Sequence, residues 1–394
     1  MNGPSMSAGW SEGRPAGTRR RWVSHAGHDA VATPHRPARA EEPSAVSTRL
    51  VTLDGSMGEG GGQILRTALT LSLLTGRPFR IVKIRANRDK PGLRPQHLSA
   101  VEAAAALGEA EVVGASVGSR DLSFRPGRYA PRDLTIDIGT AGATALVLQT
   151  LHLPLALRAD RPVRVTLAGG TFNESAPSFP FLATTWRAHL ALLGAPISLA
   201  MPSAGFYPRG GGRLDAWIEP APAGLRPLVQ AGRGPLVRIR GEAGVAQLPS
   251  GVAERMRAQA EARLAGRGLR AEIELVRWSS ASPGAAISLV AEHAGGPPTT
   301  FVGLGKRGKP AEAVADEAVD ELLAFEDVDD GAIDPHSADQ VLVPLALAPG
   351  PSRFTVSAVT EHLRTNVTTI RAFLDRTIEI EESGRGRPGR VSIS

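Results

Sequence analysis

The sequence predicts an α+β protein. Three βαβαββ units form a large domain, and a smaller two-layer α+β domain is inserted before the third unit. Three observations carry this. A pattern of loop, glutamine, apolar helical run and short β-branched strand occurs three times, led by Gln63, Gln149 and Gln340. The first two glutamines are 86 positions apart and the last two 191, which leaves 105 positions beyond one period. Glycines that stop the second helix of the first two units, Gly108 and Gly194, are again 86 apart. Repeats of this kind bury each other's faces.

In the first unit the helix at Gln63 leads to a strand that begins at Arg77-Pro-Phe-Arg-Ile-Val, and a second helix is expected over 96–107. In the second, Gln149 leads to Arg161-Pro-Val-Arg-Val-Thr, and a helix over 178–193 follows. In the third, Gln340 leads to Ser352-Arg-Phe-Thr-Val, and the helix is expected over 362–374. Glycine just beyond a periodic run is a helix-stop signal. Each unit closes on a strand pair, within 111–124, 197–218 and 377–393. The insertion is placed at 231–331, between 49–230 and 332–394. It is read as strand 236–241, helix 250–264, strands 271–278, 286–292 and 299–303, and helix 311–324, a pattern that packs as two layers.

Composition excludes several functions. Cysteine is absent, so there is no disulfide framework, cysteine-ligated zinc or cysteine nucleophile, and a cytoplasmic protein is expected. The formal charge is +6, which favours polyanions. Aromatics are 4% of the chain, so a groove gripping RNA mainly by base stacking is less expected than one gripping phosphates. The most apolar stretch, 145–157, is interrupted by Gln149, Thr150 and His152 and falls short of the about 20 residues a membrane span needs. Residues 1–48 mix Arg, Pro, Ala, Ser and Gly without an apolar segment after Arg19-Arg20-Arg21, and read as a disordered N-terminal extension.

Several strings carry chemistry. Gly58-Glu-Gly-Gly-Gly-Gln63 opens the first helix. Its glycines let backbone N–H groups approach a phosphate, and Glu59 is placed to hold a Mg²⁺ bridging to one. A plain turn and helix start fits the same residues. The Walker A and dinucleotide-binding spacings are absent. Arg85, Arg88, Lys90, Arg94 and His97 crowd a loop broken by Pro91 and Gly92. Arginine forks suit phosphate oxygens, and Arg66 can join them from the next turn of the first helix. A solvated basic loop is the plainer reading. Gly303-Leu-Gly-Lys-Arg-Gly308 reads equally as a phosphate contact or a basic turn. His362 opens the third unit's second helix, and neutral imidazole is a competent nucleophile near pH 7.

Together these strings resemble the RNA 3′-terminal phosphate cyclase family. The resemblance rests on Leu53-Asp-Gly-Ser-Met-Gly-Glu-Gly-Gly-Gly-Gln-Ile-Leu-Arg66, Lys90-Pro-Gly-Leu-Arg-Pro-Gln-His-Leu98, Phe124-Arg-Pro-Gly127, Gly139-Thr-Ala-Gly142, Gly169-Gly-Thr171, Gly205-Phe-Tyr-Pro-Arg-Gly-Gly-Gly212, Ala338-Asp-Gln340 and His362-Leu-Arg-Thr-Asn366. It runs from about residue 52 onward, in order. It implies ATP-dependent conversion of an RNA 3′-phosphate to a 2′,3′-cyclic phosphate, with RNA bearing a 3′-terminal phosphate as partner, no membrane partner, and Mg²⁺ or Mn²⁺ beside ATP. His362 is then the residue that takes AMP. Glu59 sits near the ATP phosphates and a metal. Gln149, His336, Ser337, Ala338, Asp339 and Gln340 bind ATP. Arg66, Arg85, Arg88, Gln96 and His97 hold the RNA terminal phosphate.

Two residues depart from the family pattern. His336 stands where relatives commonly carry Tyr, and Phe172 follows Gly-Gly-Thr where an acid is frequent. Two other readings have discriminating features. Cyclase-like factors of ribosome biogenesis keep the fold but lack the histidine, which His362 supplies here. Enolpyruvyl transferases use similar units, six of them in two comparable domains, against three here.

Overall fold

In the computed structural model, the described residues are 49–394 except 59, 60, 330, 383 and 385. The extension read at 1–48 and Glu59 therefore lie outside the described residues.

The first sheet collects β1 (Val51–Asp54), β2 (Phe79–Val82), β3 (Glu111–Val113) and β4 (Leu122–Arg125) in the order β1-β2-β4-β3. β1 and β2 are parallel; the other pairs are antiparallel. α1 (Gln63–Thr75) and α2 (Pro95–Gly108) fall between these strands in the chain. α1 is buried along most of its length, as expected of a helix apolar on nearly all sides. It ends where Gly76 turns left-handed, at φ 71°. α2 starts with Pro95, whose missing N–H costs nothing at a first turn.

The second sheet holds β5 (Leu134–Asp137), β6 (Val163–Gly169), β7 (Ile197–Ser203) and β8 (Gly212–Ile218) in the order β5-β6-β8-β7, again with only the first pair parallel. α3 (Thr144–Arg158) precedes β6. The single helix expected over 178–193 is interrupted: α4 (Phe179–Phe181) runs into a π-helical turn, Leu182–Trp186, and then α5 (Arg187–Leu192). Widened turns of this type leave no signature in apolar spacing.

β9 (Val229–Gln230) lies alone in the chain before the third sheet's other strands. The intervening segment runs β10 (Leu236–Ala246), α6 (Ser250–Ala265), β11 (Ala271–Arg277), β12 (Gly284–His293), β13 (Thr299–Leu304) and α7 (Ala311–Glu326). Its sheet has the order β11-β10-β12-β13. Both helices pack on it around an apolar core of their own, from Ile239 to Phe325. α8 (Pro335–Leu347), β14 (Ser352–Val356), α9 (Glu361–Phe373), β15 (Ile378–Glu382) and β16 (Gly389–Ile393) follow. β9 pairs parallel with β14, giving the sheet order β9-β14-β16-β15. One larger core spans Val51 to Ile393 and takes in α1, α3, α8 and α9.

Two features join the segment after β9 to the rest. The Arg233 guanidinium donates to the carbonyls of Phe325, Glu326, Val328 and Gly331, holding its two ends together. Phe172 stacks on Phe206 at 4.8 Å between ring centres, and meets Trp278 at a tilt, also at 4.8 Å. Phe172 thus fills an aromatic cluster with Phe206 and Trp278.

Candidate active site

Three helices converge where the glycine-rich loop enters α1. Gln63 opens α1, Asp339 lies on the first turns of α8, and His362 stands one residue inside α9. Thr360 caps α9, its Oγ1 accepting from Leu363 N at 3.1 Å. Asp334 caps α8, its Oδ1 accepting from His336 N and Ser337 N at 2.9 Å each. Both caps satisfy amides that a helix start leaves open.

Gln63 Nε2 donates to Asp339 Oδ2 at 3.1 Å, and Gln63 Oε1 lies 3.1 Å from His362 Nδ1. Gln340 Nε2 donates to the other Asp339 oxygen at 2.8 Å. An ionised carboxylate only accepts, so Gln63 turns its N–H₂ toward Asp339 and its carbonyl toward His362. The neutral imidazole then carries its proton on Nδ1, which places the lone pair on Nε2. Asn366, one turn beyond His362, donates to Asp339 O at 2.9 Å and accepts from Thr67 Oγ1 at 2.8 Å. These bonds tie α1, α8 and α9 into one frame.

Electrostatics follow from burial. Asp339 is buried, and loss of water pushes its carboxyl up to about 6; His362 and Gln340 oppose the shift. Arg66 is lowered to about 10 by burial, with Asp339 countering, and stays cationic at neutral pH. His97 is held at about 3, first by burial and then by Arg66, Arg85 and Arg94. It is therefore neutral. Its Nδ1 accepts from Arg94 N at 3.1 Å, so the proton sits on Nε2, which faces the Gly62 backbone. A Cβ at Gly62 would overlap that Nε2, and one at Gly61 would lie 3.3 Å from Arg88 Nη2. The glycines are needed here for close approach.

The expected ATP-binding residues divide. Gln149, Asp339 and Gln340 line one cavity of about 60 Å³ with Gln63, Arg66 and Asn366. Gln149 Nε2 is buried there with no hydrogen-bond partner among the described residues, a donor aimed into the space. Ser337 and Ala338 are buried, whereas His336 is exposed at the start of α8. The expected RNA-binding residues cluster across the glycine loop. Gln96 Oε1 accepts from Ala143 N at 2.8 Å, which ties α2 to the Gly139–Gly142 loop. Arg85 spends its guanidinium on the carbonyls of Lys90 and Gly92, at 2.6 and 3.0 Å, so it shapes the loop. Arg88 is exposed at the loop surface.

Sequence reasoning missed Gln63 and Asn366 as site residues. Gln63 was visible only as the marker of a repeat. Asn366 stands four residues after His362, the spacing that shares a helix face.

Among the described residues no group of three or more His, Asp or Glu side chains is arranged to hold a metal ion. Mg²⁺ commonly takes one or two carboxylates and completes its shell with water and substrate phosphates. The buried Asp339 carboxylate, facing the cavity, fits that limited role.

A buried carboxylate, an amide relay and a histidine at a helix start, set beside arginines and close-packed glycines, define a phosphate-handling α+β protein. Comparison with known proteins agrees. Residues 57–380 match the family described as RNA 3′-terminal phosphate cyclase. The chain is 43% identical over 335 residues to the RNA 3′-terminal phosphate cyclase of Caldivirga maquilingensis, covering 84% of this chain and 94% of that relative. It is 43% identical to the one from Koribacter versatilis (84% and 92% covered) and 41% identical to the one from Methanopyrus kandleri (87% and 98% covered). The chain belongs to the RNA 3′-terminal phosphate cyclase family.

Proposed function

We propose that this protein converts an RNA 3′-phosphate to a 2′,3′-cyclic phosphate at the expense of ATP. The observation that carries the reading is the Asp339–Gln63–His362 relay, in which Gln63 engages Nδ1 of the imidazole, and Nε2 is the nitrogen we assign as the nucleophile.

His362 Nε2 attacks the α-phosphorus of ATP; an N–P bond forms and pyrophosphate leaves. The histidine-bound AMP then passes to an oxygen of the RNA 3′-phosphate, restoring the imidazole. The phosphate monoester, previously dianionic and without a good leaving group, now carries one. The neighbouring 2′-OH attacks it, the ring closes and AMP leaves. Orientation favours this last step because it is intramolecular, and a terminal ribose is required because DNA lacks the 2′-OH.

Gln63 fixes the histidine tautomer, as a carboxylate does in a hydrolase triad. Gln149, with its unmatched buried N–H₂, and Gln340 bind ATP from the cavity, aided by the exposed His336, while the buried Ser337 and Ala338 support the start of α8. Arg66, Arg88, Gln96 and the neutral His97 hold the RNA phosphate, with Arg85 shaping their loop. A divalent ion, Mg²⁺ or Mn²⁺, held by Asp339 and Glu59, would supply charge neutralisation on the triphosphate.

The architecture we propose is three βαβαββ units, with residues 231–331 forming the smaller inserted domain. It is supported by three sheets that share one pairing order. No helix among the described residues is long and apolar enough to cross a membrane; a cytoplasmic location is part of the proposal.

The test is a covalent trap. Protein incubated with α-labelled ATP and Mg²⁺ is denatured and counted. Retained label in wild type, its discharge by RNA bearing a 3′-phosphate, and none in His362→Ala are expected. Equal label in the variant would show that another residue is the nucleophile.

A further inference from the structure

Tyr207 is the most exposed aromatic side chain among the described residues, at 82%. A single exposed ring is ordinary on a protein surface; what sets this one apart is how it is held and what lies beside it. Its neighbour Phe206 is buried in the cluster with Phe172 and Trp278, so the chain reverses sharply between an anchored ring and a presented one.

The presentation is rigid. Gly210 N donates to Phe206 O at 2.8 Å and closes the tip, and Gly210 and Gly211 adopt φ of 69° and 67°. Gly210 lies so close to the Gly139–Gly142 loop that a Cβ would stand 2.7 Å from Ala141 Cα. Asn173 Nδ2 grips the same Ala141 through its carbonyl at 2.6 Å. That loop in turn holds Gln96 through Ala143 N. The tip is thus one loop away from residues assigned to the RNA terminal phosphate. Arg209 is exposed on it and, among the described residues, has no hydrogen-bonded or ion-paired partner.

We propose that Tyr207 and Arg209 form a subsite for the single-stranded RNA immediately 5′ of the terminal phosphate. Tyr207 stacks on a base, and Arg209 contacts a phosphodiester. This rests on the RNA-phosphate reading of the Gln96 and His97 cluster. Stacking accepts any base, since every base has a π-face, so the subsite favours length over sequence. It also gives the few aromatics of this chain a place in RNA binding that their low overall share conceals.

Binding is measured by fluorescence anisotropy with a 5′-labelled RNA decamer bearing a 3′-phosphate. A nucleoside 3′,5′-bisphosphate, too short to reach the tip, serves as competitor. Tyr207→Ala should weaken decamer binding about ten-fold and leave the bisphosphate unchanged, while Tyr207→Phe keeps wild-type affinity. Arg209→Ala should weaken the decamer and reduce its salt slope by about 0.7. Unchanged decamer affinity in both alanine variants overturns the subsite, as does an equal loss for decamer and bisphosphate. The covalent trap separates this from the activity: wild type that takes no label yet binds the decamer through Tyr207 loses the cyclase reading and keeps the subsite. Wild type that is labelled and discharged, with variants that bind normally, does the reverse.

Discussion

Gln63 Oε1 stands 3.1 Å from His362 Nδ1 while the same side chain's Nε2 donates to Asp339. One amide thereby orders two groups at once, an imidazole nitrogen at its carbonyl and a buried carboxyl at its N–H₂. Gln63→Leu removes both functions at similar volume. Single-turnover labelling with α-labelled ATP should slow by about a hundred-fold, in the range of a mispositioned acid–base group. An undiminished rate would show that the tautomer is set elsewhere.

Asp339 provides a pH test. Its carboxyl is raised to about 6 by burial, above the unfolded value near 3.9. Its burial is therefore tolerated in full when protonated, and stability is lost as pH rises through about 6. Asp339→Asn escapes this. In denaturant titrations the variant should gain on wild type by up to about 3 kcal/mol at pH 7.5 relative to pH 4, and lose activity. A pH-independent difference would contradict the shift.

His97 has the opposite sign. Held at about 3, it takes up protons in the unfolded chain near pH 6.5 but not in the folded one. Its contribution is present above about 6.5 and lost as pH falls toward 3. His97→Gln, neutral throughout, should flatten the acid limb, narrowing the loss between pH 7 and 4.5 by about 2 kcal/mol. Parallel acid limbs would indicate that His97 is already protonated in the folded protein.

Gly62 tests close approach. Its φ of −79° suits any residue, so only space opposes a side chain. Gly62→Ala forces a methyl onto His97 Nε2 and to 3.0 Å from Arg66 Nη1. Overpacking of this size costs about 1–3 kcal/mol. KM for RNA 3′-phosphate should rise about ten-fold or more, with a small fall in Tm. A variant with normal KM would show that the His97 ring can retreat without loss.

Most elements were legible because their signals are local. The strand expected over 236–241 continues to Ala246 and the helix expected over 250–264 ends at Ala265; alternation and helical spacing mark existence better than ends. β9 was not seen, since two residues carry no period. The site was legible only in pieces. His362 stood out through its string, but nothing near it in sequence names Gln63, 299 positions away. The neutral state of His97 was equally hidden, because it depends on burial and on three arginines brought together by folding.

Those long separations bear on how the molecule is made. Gln63 and Thr67 meet His362 and Asn366 across 299 positions, and chains fold from the N-terminus as they emerge. A growing chain displays its arginine loop and its tyrosine tip well before α9 is synthesised. On the proposed reading, it then carries the residues assigned to RNA but lacks the histidine assigned to the reaction with ATP. If the proposal holds, the order of residues along the chain keeps unfinished molecules from consuming nucleotide, with no inhibitor needed.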